Sequence, residues 1–301
     1  MYRRLIVPLD GSHLAEAVLP VVEQIALLSG GTVVLLHVLE RGAPSTVHGE
    51  RHLKAEDEAN LYLTGLADRL RAQEITVEVH AHEVPEGDVA RSIVAHVAEE
   101  GGDLIVLCTH GSGGVRELLF GSIAQQVLKR GAIPVLLVRA VPEGVTPAFA
   151  PKRVLVPLDG TAGAEVALTP AQDMARLFKA VVHVVMVVAT AGTVRGEQQA
   201  LAQVMPAATR AALELEESEA QEYLDRVADR VRTEGITATT EVRRGDPTRA
   251  LADEASEPDV GLVVVATHGR AGVQAIWAGS VTARLLARTR APLLLLRAIE
   301  R

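Results

Sequence analysis

Two aspartates and two glycine-rich loops are the residues of this chain whose types and spacing can do chemistry. Asp10 closes the apolar run LIVPLD, and Asp159 closes VLVPLD 149 residues later. The segment THGSGGVRELLFGS, residues 109–122, leaves the apolar run LIVLC. THGRAGVQAIWAGS, residues 267–280, repeats it with an offset of 158. The candidates in the first loop are Thr109, His110, Gly111, Gly114, Gly121 and Ser122. Those in the second are Thr267, His268, Gly269, Gly272, Gly279 and Ser280. Glycines admit positive φ and let backbone N–H groups approach an anion with no side chain between. The Gly-Ser pairs stand where a helix should begin, so free amides and the helix dipole favour negative charge there. Charge-assisted hydrogen bonds are worth ~1.5–3 kcal/mol each, enough for a few of them to hold a phosphate. The loops carry no lysine and no nucleophile–base dyad, which points to binding rather than covalent chemistry. His110 and His268 read as groups that orient the loop. Arg116 and Arg270 differ in position and carry little weight.

The competing account is structural. Asp10-Gly11-Ser12 reads equally as a turn followed by an N-cap, and Gly121-Ser122 as a helix cap. A single copy does not separate the two accounts. Two copies, each pairing an aspartate at one strand end with a glycine loop at another, favour binding.

Aspartate and loop share a crevice only if the strands that carry them are neighbours. Each half shows the same order of elements: a strand (4–9; 153–158), Asp-Gly and a helix, then a second strand (32–39; 181–188). A long polar helix (about 50–73; 208–234) and a third strand (75–83; 236–243) follow. A Gly-Asp turn, a helix and a fourth strand (103–108; 260–266) enter the glycine loop. A last helix leads to PVLLVR or PLLLLR. Continuous Val/Leu/Ile strands alternating with amphipathic helices predict βαβ units and a parallel sheet. The expected fold class is α/β, two tandem doubly wound, Rossmann-like domains, 1–140 and 152–301, each with a five-stranded parallel sheet. The boundary is AVPEGVTPAFAPKR, residues 140–153. Because the offset grows from 149 to 158, the second half carries nine extra residues (158 − 149), expected around 190–212 as a longer loop or added helical turns. In open α/β sheets ligands bind beyond the carboxyl ends of strands, at the switch point of strand order.

Composition agrees. Of 301 residues, 48% are hydrophobic but only 2% aromatic, so the cores are built from Val, Leu, Ile and Ala. The net charge of −8 offers no footprint for nucleic acid. The single cysteine, Cys108, excludes an internal disulfide and a cysteine metal cage and suits a reducing compartment. The N-terminus meets Pro8 and Asp10 too early for a signal peptide, and no apolar run nears the ~18 residues of a membrane span. The expectation is a cytoplasmic protein with no membrane partner.

The motifs VPLDGS, the two glycine loops with their nine-residue spacing to Gly-Ser, and the closing PVLLVR resemble a tandem universal stress protein over the whole chain. The resemblance implies ATP, with or without magnesium, as ligand. It implies a first site at Pro8, Asp10, Val38, Thr109, His110, Gly111, Gly114, Gly121 and Ser122. The second site would hold Pro157, Asp159, Val187, Thr267, His268, Gly269, Gly272, Gly279 and Ser280. In it the aspartate meets the nucleoside, the valine offers backbone groups to adenine, and the loop holds ribose and phosphates. It also implies an internal pseudo-dimer through the strands near 134–139 and 292–297, with or without a further homodimer, and a stress-response role. This chain departs from the motif at its first glycine, which is Cys108 in one half and Ala266 in the other.

Two further function classes stand beside this one. A weak ATP hydrolase of the same superfamily lacks, in this sequence, an SGGxDS loop, an HxGH signature and a carboxylate pair suited to magnesium. A ligand-free interaction scaffold is the other. His80 and His82 share a strand face, and His48 and His52 would share a helix face. Neither pair has an evident third ligand, so no metal site is expected. ELEESEA, residues 214–220, reads as a solvated helix face, and Cys108 as a small packed residue.

Overall fold

The structure is a computed structural model that describes residues 2–47, 49–85, 88–109, 122–140, 149–194, 203–268 and 291–298, together with residues 200, 285, 288 and 289. The chain divides into two compact units: Met1–Ala150 with Pro292–Arg297, and Pro151–Ala291 with Ala298–Arg301.

In the first unit β1 (Arg4–Pro8) leads through a 3-10 turn (Ala15–Val18) to α1 (Leu19–Ser29) and β2 (Thr32–Glu40). A small hairpin of β3 (Thr46–Val47) and β4 (Glu50–Arg51) precedes α2 (Glu56–Arg71) and β5 (Thr76–Val84). Then come α3 (Val89–Glu100), β6 (Leu104–Thr109), α4 (Ser122–Arg130) and β7 (Val135–Arg139). Five strands pair in parallel in the order β7-β6-β1-β2-β5. The middle seven of the nine residues of β2 are buried without alternation. Such a strand has helices on both faces, as a parallel sheet requires.

The second unit repeats the plan with β8 (Arg153–Leu158), α5 (Ala162–Glu165), α6 (Leu168–Phe178) and β9 (Val181–Val188). It continues with α7 (Pro206–Thr233), β10 (Ala238–Arg244), α8 (Pro247–Glu254) and β11 (Val260–His268). These strands run parallel in the order β10-β9-β8-β11. The α/β, doubly wound class expected from the sequence is the class observed.

The last strand, β12 (Leu293–Ala298), lies antiparallel to β7, with Leu293 opposite Leu137 and Leu295 opposite Val135. By contacts Pro292–Arg297 groups with the first unit. An all-apolar edge such as VLLV is covered when another strand pairs with it.

The extra residues of the second half begin within the expected stretch and are added helical turns, one of the two forms expected. Helix α2 has 16 residues and α7 has 28, an excess of twelve (28 − 16). The turn between the third strand and the next helix is shorter by three: the offset drops from 161 at Ile75/Ile236 to 158 at Asp88/Asp246. Twelve gained and three lost make the net nine, and the gain is largely helix. The helix expected from residue 50 begins at Glu56 because the hairpin takes up residues 46–51. His52 is therefore off the helix, its Nδ1 3.1 Å from the Pro44 carbonyl, and His48 lies outside the described residues. Among the described residues no helix is long and apolar enough to cross a membrane.

Candidate functional site

The switch point of the first unit falls between β1 and β6, because the chain leaves β1 toward β2 and returns on its other side at β6. The ladder joining these strands covers Leu5–Leu104 and Ile6–Ile105 and ends two residues before Pro8. Leu9 donates its N–H to Leu36 on the β2 side at 2.8 Å. Successive residues of a strand aim their backbone groups to opposite sides, so position 8 faces β6, and proline has no N–H to offer there. The pairing stops at this point, which is where an open α/β sheet offers a crevice to a ligand. In the second unit the β8–β11 ladder likewise ends at Leu155–Val263, two residues before Pro157.

One lip of the crevice is the aspartate turn. Asp10 Oδ1 accepts the Ser12 N–H at 2.9 Å and the Ser12 hydroxyl at 2.6 Å, while Ser12 Oγ accepts from Ala15 N–H at 3.2 Å. Asp159 Oδ1 accepts the Thr161 N–H at 3.0 Å and its hydroxyl at 2.6 Å, and Thr161 Oγ1 accepts from Ala164 N–H at 3.2 Å. The turn account is therefore correct as local structure in both halves, and Thr161 is the N-cap of α5, while the 3-10 turn of the first unit has Leu14 at that place. Gly11 (φ +88°) and Gly160 (φ +81°) occupy the left-handed region that the turn demands. Behind the first turn the buried His37 places Nδ1 2.7 Å from the Leu9 carbonyl, which accepts its N–H. Burial holds this imidazole below the usual histidine range.

The opposite lip is the exit of the fourth strand. Thr109 donates its hydroxyl to the Val138 carbonyl at 3.4 Å, and its own carbonyl accepts from Ala140 N–H. Thr267 is buried at the equivalent place. The Cys108 thiol donates to the Leu14 carbonyl at 3.1 Å. Burial pushes it up to about 12, opposed by the Ala140 backbone bond and aided by the Asp10 charge. Such a thiol is a packing group, not a nucleophile. Ala266 fills the same position with a buried methyl.

Val38 is buried on β2 and Val187 half-buried on β9. Because Leu36 O serves the β1 side, the Val38 backbone faces that side too, beyond the point where β1 pairing stops. Val188 O accepts from Gly245 on the β10 side, so Val187 faces β8, again past the last pair, Leu158–Met186. Pro8, Asp10, Val38 and Thr109 thus lie at or just past the carboxyl ends of the neighbouring strands β1, β2 and β6, and Pro157, Asp159, Val187 and Thr267 at or near those of β8, β9 and β11. His110, Gly111, Gly114, Gly121, Gly269, Gly272, Gly279 and Ser280 lie outside the described residues. Ser122 is the first residue of α4, and His268 the last of β11.

A duplicated cluster beside the aspartates was missed in the sequence. Tyr223 donates to Glu165 Oε1 at 2.8 Å, and Arg230 donates to Glu165 Oε2 at 2.7 Å. In the first unit Arg69 reaches Glu16 at 3.5 Å. There the Tyr62 hydroxyl is buried with Glu16, Asp10 and Glu50 as charged neighbours. Burial raises both phenols above the usual tyrosine range. The cluster ties the long helix to the segment after the aspartate turn. The recoverable signal was the common offset of 161 for Tyr62/Tyr223 and Arg69/Arg230, hidden by the longer α7.

Doubly wound, Rossmann-like domains with a duplicated crevice at the switch point define the class of protein. The chain belongs to the universal stress protein family, which it matches over residues 1–139 and 151–297. It is 28% identical over 148 residues to a universal stress protein of Bacillus subtilis, covering 46% of this chain and all of that protein. It is 27% identical over 163 residues to one from Methanocaldococcus jannaschii, covering 46% of this chain and 96% of the relative. The crystal structure of a universal stress protein from Archaeoglobus fulgidus shares the fold. Its TM-score is 0.67 at 18% identity, over 98% of this chain and 96% of that one.

Proposed function

We propose that each half binds one adenine nucleotide, ATP with or without magnesium, and that the protein is a cytoplasmic stress-response regulator without dedicated turnover. The observation that carries this reading is that pairing of the first and fourth strands stops two residues before a proline, in both units. At that opening an Asp-Gly-Ser/Thr turn forms one lip and the start of the glycine loop forms the other. Backbone groups of Val38 and Val187 are disposed to read adenine. The glycine loops and the helix that begins at Ser122 would take the phosphates. Nucleotide released from denatured protein, identified and counted per chain, tests the reading, and two adenine nucleotides per chain are expected. Calorimetry should give ATP a higher affinity than adenosine, since the loop recognises charge. Equal affinities would remove the phosphate assignment.

The hydrogen bonds to Asp10 Oδ1 and Asp159 Oδ1 favour a second reading, in which the turn serves only the fold and the protein is an interaction scaffold. Absence of any bound nucleotide at millimolar ATP would decide for it. Phosphate release above the buffer rate would instead favour a weak hydrolase.

A further inference from the structure

The fold supplies the third ligand that the strand pair His80/His82 lacks in sequence. His96 of α3 comes down on β5, and its Nδ1 lies 3.0 Å from His82 Nε2. Its ring centroid is 4.8 Å from that of His80 and 4.7 Å from that of His82. One nitrogen from each of the three rings lies within 4.8 Å of the others. Two nitrogens bound to one tetrahedral Zn2+ stand about 3.4 Å apart, so small side-chain rotations bring these three to a single ion. We propose that His80, His82 and His96 form a binding site for a borderline divalent transition-metal cation of the Zn2+ class, outside the nucleotide crevice and independent of it.

Two further observations support the site. His96 is 3% exposed, and its Nε2 has no hydrogen-bond partner among the described residues, so the cluster does not satisfy itself. His80 and His82 are half-buried, which leaves the ion a way in.

Outer groups are also in place. His80 Nε2 lies 3.8 Å from Glu78 Oε2, and its Nδ1 lies 3.8 Å from Glu100 Oε1. Whichever nitrogen binds the ion, the other faces a carboxylate, the arrangement that orients metal-bound histidines. Both carboxylates are themselves held by Arg4, which donates to Glu78 at 3.0 and 2.7 Å and to Glu100 at 2.6 Å.

In the second unit charged side chains take these positions, beside His183. By ladder register Glu241 stands where His80 does (opposite Val185 and Leu36) and Arg243 where His82 does (opposite Val187 and Val38). Glu254 follows Asp246 by eight residues, as His96 follows Asp88. There Arg243 pairs with Glu254 and lies 3.0 Å from Glu241, and Arg153 lies 3.7 Å from Glu254. Cation and anions are balanced internally. The first unit has three imidazoles and no such balance.

The test uses the full chain stripped with chelator. Calorimetry with Zn2+ should give one tight site per chain, and Co2+ should give the visible absorption of a nitrogen-ligated ion. The triple variant His80→Glu, His82→Arg, His96→Glu installs the second unit's residues and should lose affinity about 100-fold or more. The single variant His82→Gln should lose the Co2+ spectrum with its melting temperature near wild type, and Glu100→Gln should weaken Zn2+ about tenfold. No uptake of Zn2+ or Co2+ at micromolar concentration by the wild type would overturn the proposal. Unchanged stoichiometry and affinity in both His82→Gln and the triple variant would do so too.

Discussion

Ser12 donates both its amide and its hydroxyl to the same oxygen of Asp10, at 2.9 and 2.6 Å, and Thr161 does the same to Asp159. The pair is a backbone device as well as a candidate ligand group, and the two roles separate experimentally. Asp10→Asn retains an acceptor oxygen for the turn and removes the charge. Urea denaturation should find it close to wild type, while nucleotide affinity at the first site falls. Asp10→Ala loses the acceptor and should cost about 1–2 kcal/mol. If Asp10→Asn binds nucleotide at both sites with wild-type affinity, the aspartate is only a turn former.

Gly11 and Gly160 share a positive φ but not their surroundings. A Cβ at Gly11 would stand 2.8 Å from the Leu53 side chain, whereas at Gly160 the nearest atom is Met186 Cε at 3.7 Å. Gly160→Ala should cost about 1 kcal/mol from backbone strain alone. Gly11→Ala should cost more, and Leu53→Ala in the same chain should return part of the difference, as coupled neighbours do. Equal losses for the two glycine variants would show that Leu53 yields freely.

The glycines that close the loops carry the phosphate part of the proposal. Gly121→Val puts a branched side chain where the anion should sit and should lower the bound nucleotide from two to one per chain. Adding Gly279→Val should remove the second. Circular dichroism should show both variants folded. Wild-type stoichiometry in the double variant would reduce the loops to helix caps.

The buried His37 predicts how stability depends on pH. Burial lowers its folded-state pKa, so the native imidazole stays neutral while the unfolded one takes up a proton below about 6.5. Its contribution is present above that value and is lost as pH falls through the lowered folded pKa. His183 acts in the same direction for the same first cause, burial. The urea midpoint should fall as the pH is lowered below about 6.5. His37→Asn keeps a donor for the Leu9 carbonyl and cannot titrate, so its midpoint should fall less steeply. An identical slope would assign the loss to other groups.

Much of this protein was legible in one dimension because the relevant physics is local. Unbroken Val/Leu/Ile runs bounded by turn residues suit strands covered on both faces, and each parallel strand observed lies within two residues of the range read from the sequence. Asp10-Gly11-Ser12 and its repeat form their turns from three consecutive residues, so their structure needed nothing distant. Tertiary structure decided what depends on contacts between remote segments. His96 joins His80 and His82 only because α3 packs on β1 and β2 and its His96 side chain reaches β5, and no spacing between a helix and a strand encodes that. Tyr223 and Glu165 meet across 58 residues, in a register displaced by the longer α7. The end of β1–β6 pairing before Pro8 requires strand order, which is set by how the sheet buries its apolar faces rather than by any short motif. The pairing of β12 with β7 likewise arises from satisfying an exposed apolar edge, a demand that exists only once the sheet has formed.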